Sequence, residues 1–339
     1  MNTRQYIQKM IKTYPLAKAV DLIKLITELA FGSSQVQTKT KANAYTLADI
    51  TILNKHYAKV TLLKKTNNAI SRKTLDAIAF HSSSTDEDRH MLFDLLHTTL
   101  NQVLLKGHHH VTPIMIDEII SKGFKQPHQT QSTFSQTFMK TYHRDYIIMD
   151  LKWLPMLDVF IKLDHLHIEK PHVLLAIDGN SSSGKTTFST FLNAVYNGNL
   201  IHMDDFFNNP NQVSTSSRDH ANNIDFERLK KEIIEPVQKR HTLTYRAYDC
   251  QSDTFKPPIE MTSKPWTIIE GAYSMHPIVY AHYDFCIFFK TSRLQQMKRI
   301  WKRNGHQKLR VFLKRWIPSE NRYFKAYDIK KKANLIIKT

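Results

Sequence analysis

Apolar positions in the first 170 residues recur at three- and four-residue steps. Leu16, Val20, Ile23, Ile26 and Ala30 fall on one helical face, and Gly32 supplies a stop. Asp86 or Asp88 begins a second candidate helix running through LFDLLHTTLNQVLL to Gly107, and Thr112-Pro113 makes a cap and first turn for IMIDEIISKG. Lys152 to His167 predicts a further helix with Pro155 near its start, while residues 32–45 and 124–137, rich in Ser, Thr, Gln and Lys, read as loops. From residue 171 the pattern changes. Short apolar runs, VLLAI, NLIHM, TII and FCIFFK, alternate with helical segments such as TTFSTFLNAVY and FERLKKEIIEPVQKR. The expectation is a mainly α-helical N-terminal domain over 1–150, a connecting helix over 151–170, and an α/β domain over 171–339, doubly wound about a parallel sheet with helices on both faces.

Ligands of such sheets collect at the carboxyl ends of the strands, which here carry Gly179, Asp204, Asp205 and Glu270. Gly179-Asn180-Ser181-Ser182-Ser183-Gly184-Lys185-Thr186 fits G-x-x-x-x-G-K-[ST] between an apolar run and a helix that Thr187 continues, the context a phosphate-binding loop requires. Its backbone N–H groups and the positive end of the helix aim at an anion; Lys185 reaches the β- and γ-phosphates and Thr186 a magnesium ion. The expected ligands are ATP and Mg2+. Asp204-Asp205 ends the next apolar run. An acid there either holds magnesium through water or accepts the proton of an attacking hydroxyl, the plain alternative being a helix cap. Glu270, followed by Gly271, reads as an acid that orders magnesium, against a satisfied buried glutamate.

Composition narrows the class. The chain has 339 residues, 41% of them hydrophobic, enough for a sizeable core in two domains. No apolar run approaches the roughly 20 residues of a membrane span. MNTRQYIQKM lacks the apolar core of a signal peptide, and Cys250 and Cys286 are too few for a disulfide framework or a zinc site, so a reducing cytoplasm is expected. His108-His109-His110 reads as a plain loop, because adjacent histidines point in different directions and no Cys or carboxylate cluster accompanies them.

The net charge of +18 is unevenly placed. Residues 1–170 hold 22 basic and 15 acidic residues, 171–289 hold 10 and 13, and 290–339 hold 16 and 2. In KRIWKRNGHQKLRVFLKR the cations Lys298, Arg299, Lys302, Arg303, Arg310, Lys314 and Arg315 recur at helical steps, so several are expected to line one helix face. Guanidinium groups there suit phosphates. Two partners fit: a triphosphate beneath a basic lid, or a nucleic-acid backbone with Tyr323, Phe324 and Tyr327 stacking on bases. No helix-turn-helix, zinc-finger or RNP signature accompanies the second.

The ordered set IDGNSSSGKTT, HMDDFF, NIDFERL, YRAYDCQ, IIEGAYSMHP and RLQQMKRIWKRNG resembles the uridine kinase and phosphoribulokinase group of small-molecule kinases over residues 171–335. The resemblance implies Mg2+-dependent phosphoryl transfer from ATP to a small-molecule hydroxyl, commonly the 5′-hydroxyl of a nucleoside. It implies Asp204 as the catalytic acid of the site, Asp225 as the acid that binds the sugar hydroxyls, and Glu270 as the acid near magnesium. Tyr248 and Asp249 would line the acceptor pocket with Asp205 and Arg246, and Arg299 and Arg303 would belong to a lid over the phosphates. The chain departs from that group where Tyr248-Asp249 is followed by CQSDTF in place of a basic, histidine-containing stretch, and in its N-terminal 170 residues, which are foreign to the small nucleoside kinases.

Overall fold

The computed structural model describes residues 9–33, 42–64, 69–83, 112, 114, 134–142, 145–207, 223–249 and 252–339. The candidate helix from Asp86 or Asp88 to Gly107, the one after Thr112-Pro113 apart from Ile114, the His108–His110 run and Cys250 lie outside the described residues. The chain divides into two compact units, Met1–His165 and Leu166–Thr339. Among the described residues no helix is long and apolar enough to cross a membrane.

In the first unit α1 (Ala19–Phe31) covers the expected helix from Val20 to Ala30, leaving Leu16 outside it and exposed. After it come β1 (Ala44–Ile52), β2 (Tyr57–Lys64), β3 (Ile70–Ser71), α2 (Arg72–Ser82), α3 (Gln136–Tyr142), β4 (Tyr146–Asp150) and α4 (Leu157–Glu169), whose last four residues belong to the second unit. The expected helix over Lys152–His167 resolves into a 3-10 turn, Leu154–Met156, carrying Pro155, and then α4. The strands form an antiparallel sheet in the order β3-β1-β2-β4, an element absent from the helical expectation. A bulge between Leu47 and Asp49 breaks the period-two alternation of β1, and the strand's last five residues are exposed, so its apolar signal is short. Leu22, Leu25, Ile26 and Leu29 of α1 pack on Tyr57, Tyr146 and Ile148 of the sheet and on Phe134 and Phe138.

That packing buries a carboxylate. Glu28 lies on the core side of α1, where Tyr146 donates its hydroxyl to Oε2 at 2.7 Å while Oε1 is buried with no partner. Burial is the main cause that pushes the Glu28 carboxyl up to about 7, against the opposing pull of Lys24. Between the model-peptide value of 4.5 and about 7 the folded chain keeps a proton that the unfolded chain has lost. Stability therefore falls as pH rises through that window, by an amount on the order of 3 kcal/mol once pH exceeds 7. Urea unfolding of wild type and Glu28→Gln at pH 5 and 8 is expected to show the variant gaining on wild type at pH 8 and not at pH 5.

The second unit runs β5 (Val173–Gly179), α5 (Lys185–Tyr196), β6 (Asn199–His202), a 3-10 turn Met203–Phe206, α6 (Phe226–Leu229), a π turn Lys230–Ile234 and α7 (Glu235–Lys239). Two small hairpins follow, β7 (Leu243–Tyr245) with β10 (Ile259–Met261) and β8 (Tyr248–Asp249) with β9 (Thr254–Phe255). The chain then returns through β11 (Trp266–Glu270), α8 (Pro277–Tyr280), β12 (Phe285–Lys290), α9 (Arg293–Val311), a π turn Phe312–Trp316, α10 (Ile317–Ala326), α11 (Ile329–Lys332) and β13 (Leu335–Lys338). Five strands make a parallel sheet in the order β13-β12-β5-β11-β6, the expected α/β architecture with one strand, β13, added at the edge. All seven residues of β5 and all five of β11 are buried, as strands covered on both faces must be.

The cations of which several were expected to share a helix face divide between two segments. Gly305 interrupts α9 with φ 75 and ψ 177, and the π turn after Val311 shifts the helical phase again. Lys298, Arg299, Lys302 and Arg303 therefore sit on one segment, and Arg310, Lys314 and Arg315 on another.

Candidate active site

The phosphate-loop sequence leaves the carboxyl end of β5 and turns into α5. Gly179 pairs with Phe289 of β12 in the sheet and has φ +139; a Cβ there would lie 2.1 Å from the Phe289 carbonyl oxygen, so only glycine allows this approach. Asn180 N then donates to the same carbonyl at 3.1 Å. Donors from the protein occupy the loop's carbonyls. Lys185 is buried, with Nζ donating to Gly179 O at 2.9 Å and Asn180 O at 3.0 Å. Arg299 Nη1 donates to Ser182 O and Ser183 O, both at 3.3 Å, and Thr339 Oγ1 to Ser183 O at 2.8 Å.

Beside the loop is a cavity of about 250 Å³. The loop contributes Ser181, Ser182, Lys185 and Thr186; the strand ends contribute Asp204, Phe207, Glu270, Gly271, Ala272 and Tyr273; the helical C-terminal region contributes Arg303, Phe312, Trp316 and Glu320. The parallel register sets Glu270 level with His202 of β6. Its Oε1 accepts from Thr186 Oγ1 at 3.1 Å and from His202 Nδ1 at 2.9 Å, and its Oε2 is buried without a partner. The hydrogen bond to Glu270 is the chief cause that raises the His202 pKa. Asp204 opens onto the cavity, and its carboxyl is pushed up by burial of the site around it and then by the charge of Glu270.

The unpartnered Glu270 Oε2, the Thr186 hydroxyl and Asp204 are hard oxygen donors around one space. That set fits Mg2+, which binds through one or two carboxylates and otherwise keeps water and phosphate oxygens. Among the described residues no three His, Cys, Asp or Glu groups are placed to hold an ion by themselves.

The remaining expected site residues stand apart from the cavity lining. Asp205 is half-buried, accepting from Tyr245 OH at 3.3 Å on Oδ2 and from Arg228 on its main-chain oxygen. Asp225 caps α6, its Oδ1 accepting from Arg228 N at 2.9 Å. Arg246 donates to Lys256 O at 2.9 Å and Phe255 O at 3.1 Å, Tyr248 donates its hydroxyl to Asp253, and Asp249 pairs with Thr254 in the β8–β9 hairpin. The Arg228 guanidinium lies 4.7 Å from the Phe206 ring and 4.9 Å from that of Phe255.

No family model matches the chain. Among solved structures, a possible uridine kinase from Bacillus stearothermophilus is similar over 49% of this chain and 88% of its own, at 21% identity and a TM-score of 0.39. A protein provisionally assigned as a fructose transport system kinase, from Silicibacter sp. TM1040, matches over 49% of this chain and 89% of its own, at 19% identity and a TM-score of 0.40. Shikimate kinase from Acinetobacter baumannii matches over 51% and 87%, at 13% identity and a TM-score of 0.27.

Three residues at or beneath the loop escaped the sequence reading. His202 is bound to Glu270 by sheet register, which a single sequence does not display. Asp178 is fully buried below the loop, accepting from Gly179 N at 2.7 Å, Met275 N at 3.1 Å and Tyr323 OH at 2.8 Å; burial pushes its carboxyl up to about 6. Its signal was a charge set between an apolar run and a glycine. Glu320 accepts from Ser181 N at 3.0 Å and from the Ser181 hydroxyl, and it shares α10 with Tyr323. Its signal was rarity, as one of two acids in residues 290–339.

Proposed function

We propose that the second unit transfers the terminal phosphoryl group of ATP to a hydroxyl of a small molecule, with a nucleoside as the first candidate acceptor. The observation that carries this reading is the convergence of Lys185, Thr186, Asp204, Glu270 and Arg303 on one cavity at the ends of the parallel strands. The residues of the loop, Gly179 to Thr187, hold the phosphate chain, with Lys185 reaching its outer end. Glu270 and Thr186 would hold Mg2+, which when bound neutralises phosphate charge, leaving Asp204 for the acceptor hydroxyl.

Asp204 accepts the hydroxyl proton as the acceptor oxygen bonds to the γ-phosphorus. The bond from that phosphorus to the β–γ bridging oxygen breaks, and ADP leaves with the electron pair. An Asp204 carboxyl raised by burial and by Glu270 is a stronger base than an ordinary aspartate. Arg303, facing the cavity, offsets charge on the transferring group, whereas Arg299 keeps the loop in shape through its carbonyls. Asp205, Asp225, Arg246, Tyr248 and Asp249 are assigned to the acceptor side, because α6 and β8 both pack against the turn that carries Asp204 and Asp205.

The test is magnesium-dependent ADP formation against nucleosides, pantothenate and sugar alcohols, with Lys185→Ala as the blank. ADP that appears only with an acceptor and only with wild type is the expected result. Bound ATP without turnover on any alcohol would reject the reading. RNA and DNA binding that weakens steeply with salt would then make the basic C-terminal region a backbone-binding surface.

A further inference from the structure

A carboxyl group of the protein itself is already seated in the phosphate loop. Ser181, the third residue of the loop motif, gives both its main-chain N–H and its hydroxyl to the Glu320 carboxylate. Glu320 is 3% exposed and faces the same cavity as Lys185 and Arg303; burial pushes its carboxyl up, against the opposing pull of Lys185. A loop whose donors select an anion has thus taken a carboxylate from α10 where an incoming phosphate chain would bring further negative charge.

The contact is one of three that fasten α10 over the loop. Tyr273 donates its hydroxyl to Ser319 Oγ at 3.3 Å, and Tyr323 donates to Asp178 Oδ2 at 2.8 Å, just below the first loop glycine. Ser319, Glu320 and Tyr323 lie at positions that share one side of a helix. The segment leading into α10 contains the Gly305 break and the π turn Phe312–Trp316, and Phe312 and Trp316 line the cavity with Glu320. The helix that closes the cavity also places an acid in its anion cradle.

We propose that Glu320 is an internal competitor for the phosphate chain, so that binding a triphosphate releases the Glu320–Ser181 contact and loosens α10 from the loop. The proposal rests on the phosphate-loop part of the functional reading and does not depend on which alcohol is the acceptor. Glu320→Gln keeps the size of the side chain and an oxygen for Ser181 while removing the charge, which isolates the competition from the packing.

The experiment is calorimetric titration of the full chain with Mg-ATP for wild type, Glu320→Gln and Lys185→Ala, alongside hydrogen exchange of peptides covering 317–326 in wild type with and without ATP. At low salt Glu320→Gln is expected to bind ATP at least about tenfold more tightly than wild type. A smaller gain in affinity, no gain, or weaker binding overturns the proposal. Should Glu320→Gln fail to fold, wild-type exchange decides: faster exchange over 317–326 with ATP supports release, and unchanged or slower exchange overturns it. If neither wild type nor Glu320→Gln binds ATP, this proposal and the phosphate-loop reading both fall. Tighter binding by Glu320→Gln with no acceptor phosphorylated keeps the proposal and removes only the kinase reading.

Discussion

Asp204→Asn is expected to lower kcat by about 10²–10⁴-fold while leaving ATP affinity within a few-fold of wild type. The substitution keeps the shape of the side chain and removes only its ability to take a proton and its charge. Asp204 reaches the cavity from the turn that follows β6, so no strand pairing or helix cap depends on its carboxylate. Its two strongest perturbations, burial and the neighbouring Glu270, both favour the protonated form, and Asn resembles that form; the fold is therefore expected to tolerate the change. Steady-state rates with the best acceptor of the panel, paired with calorimetric ATP binding, make the check. A variant that turns over within tenfold of wild type would show that the proton leaves by another route. A variant that loses ATP binding in parallel with kcat would assign Asp204 to the metal rather than to proton transfer.

Lys185→Ala is expected to fail differently, losing about 10²–10³-fold or more in turnover together with a large part of its ATP affinity. Lys185 Nζ is held by the carbonyls of Gly179 and Asn180, so the ammonium is stored inside the loop it serves. Removing it also takes away the cation that draws down the carboxyls of Asp178, Asp204 and Glu320. These three acids would retain protons more readily in the variant. Normal circular dichroism with both kcat and affinity reduced is the expected outcome. Affinity equal to that of wild type would contradict a role for this lysine on the phosphate chain.

The parts of this site that were legible in the sequence were those encoded locally. A strand, a glycine-framed loop and a helix occupy adjacent residues, and the apolar runs that lead to Asp204 and Glu270 mark strands whose carboxyl ends carry these acids. What the sequence withheld depends on contacts across the fold. His202 and Glu270 meet only because β6 and β11 are parallel neighbours in one register. Asp178 and Tyr323, and likewise Ser181 and Glu320, are brought together from distant parts of the chain by the docking of α10. Spacing placed several cations on one helix face but did not reveal where the helix breaks, because it does not show that Gly305 adopts a non-helical conformation. In the first unit the sheet was hidden by the bulge in β1 and by the exposure of that strand's last five residues.

Trp316 gives the cavity a spectroscopic signature. The chain has four tryptophans. Trp153 belongs to the first unit, Trp266 is stacked on Tyr196 at 4.2 Å within the core, and Trp301 is exposed on α9, which leaves Trp316 as the indole that lines the cavity, with the Arg315 guanidinium 5.3 Å from its ring. Its emission responds to the polarity and charge of whatever fills that space. With Phe at positions 153, 266 and 301, the chain becomes its own single-fluorophore sensor, and unlabelled nucleotides and alcohols can be ranked optically before any turnover is found.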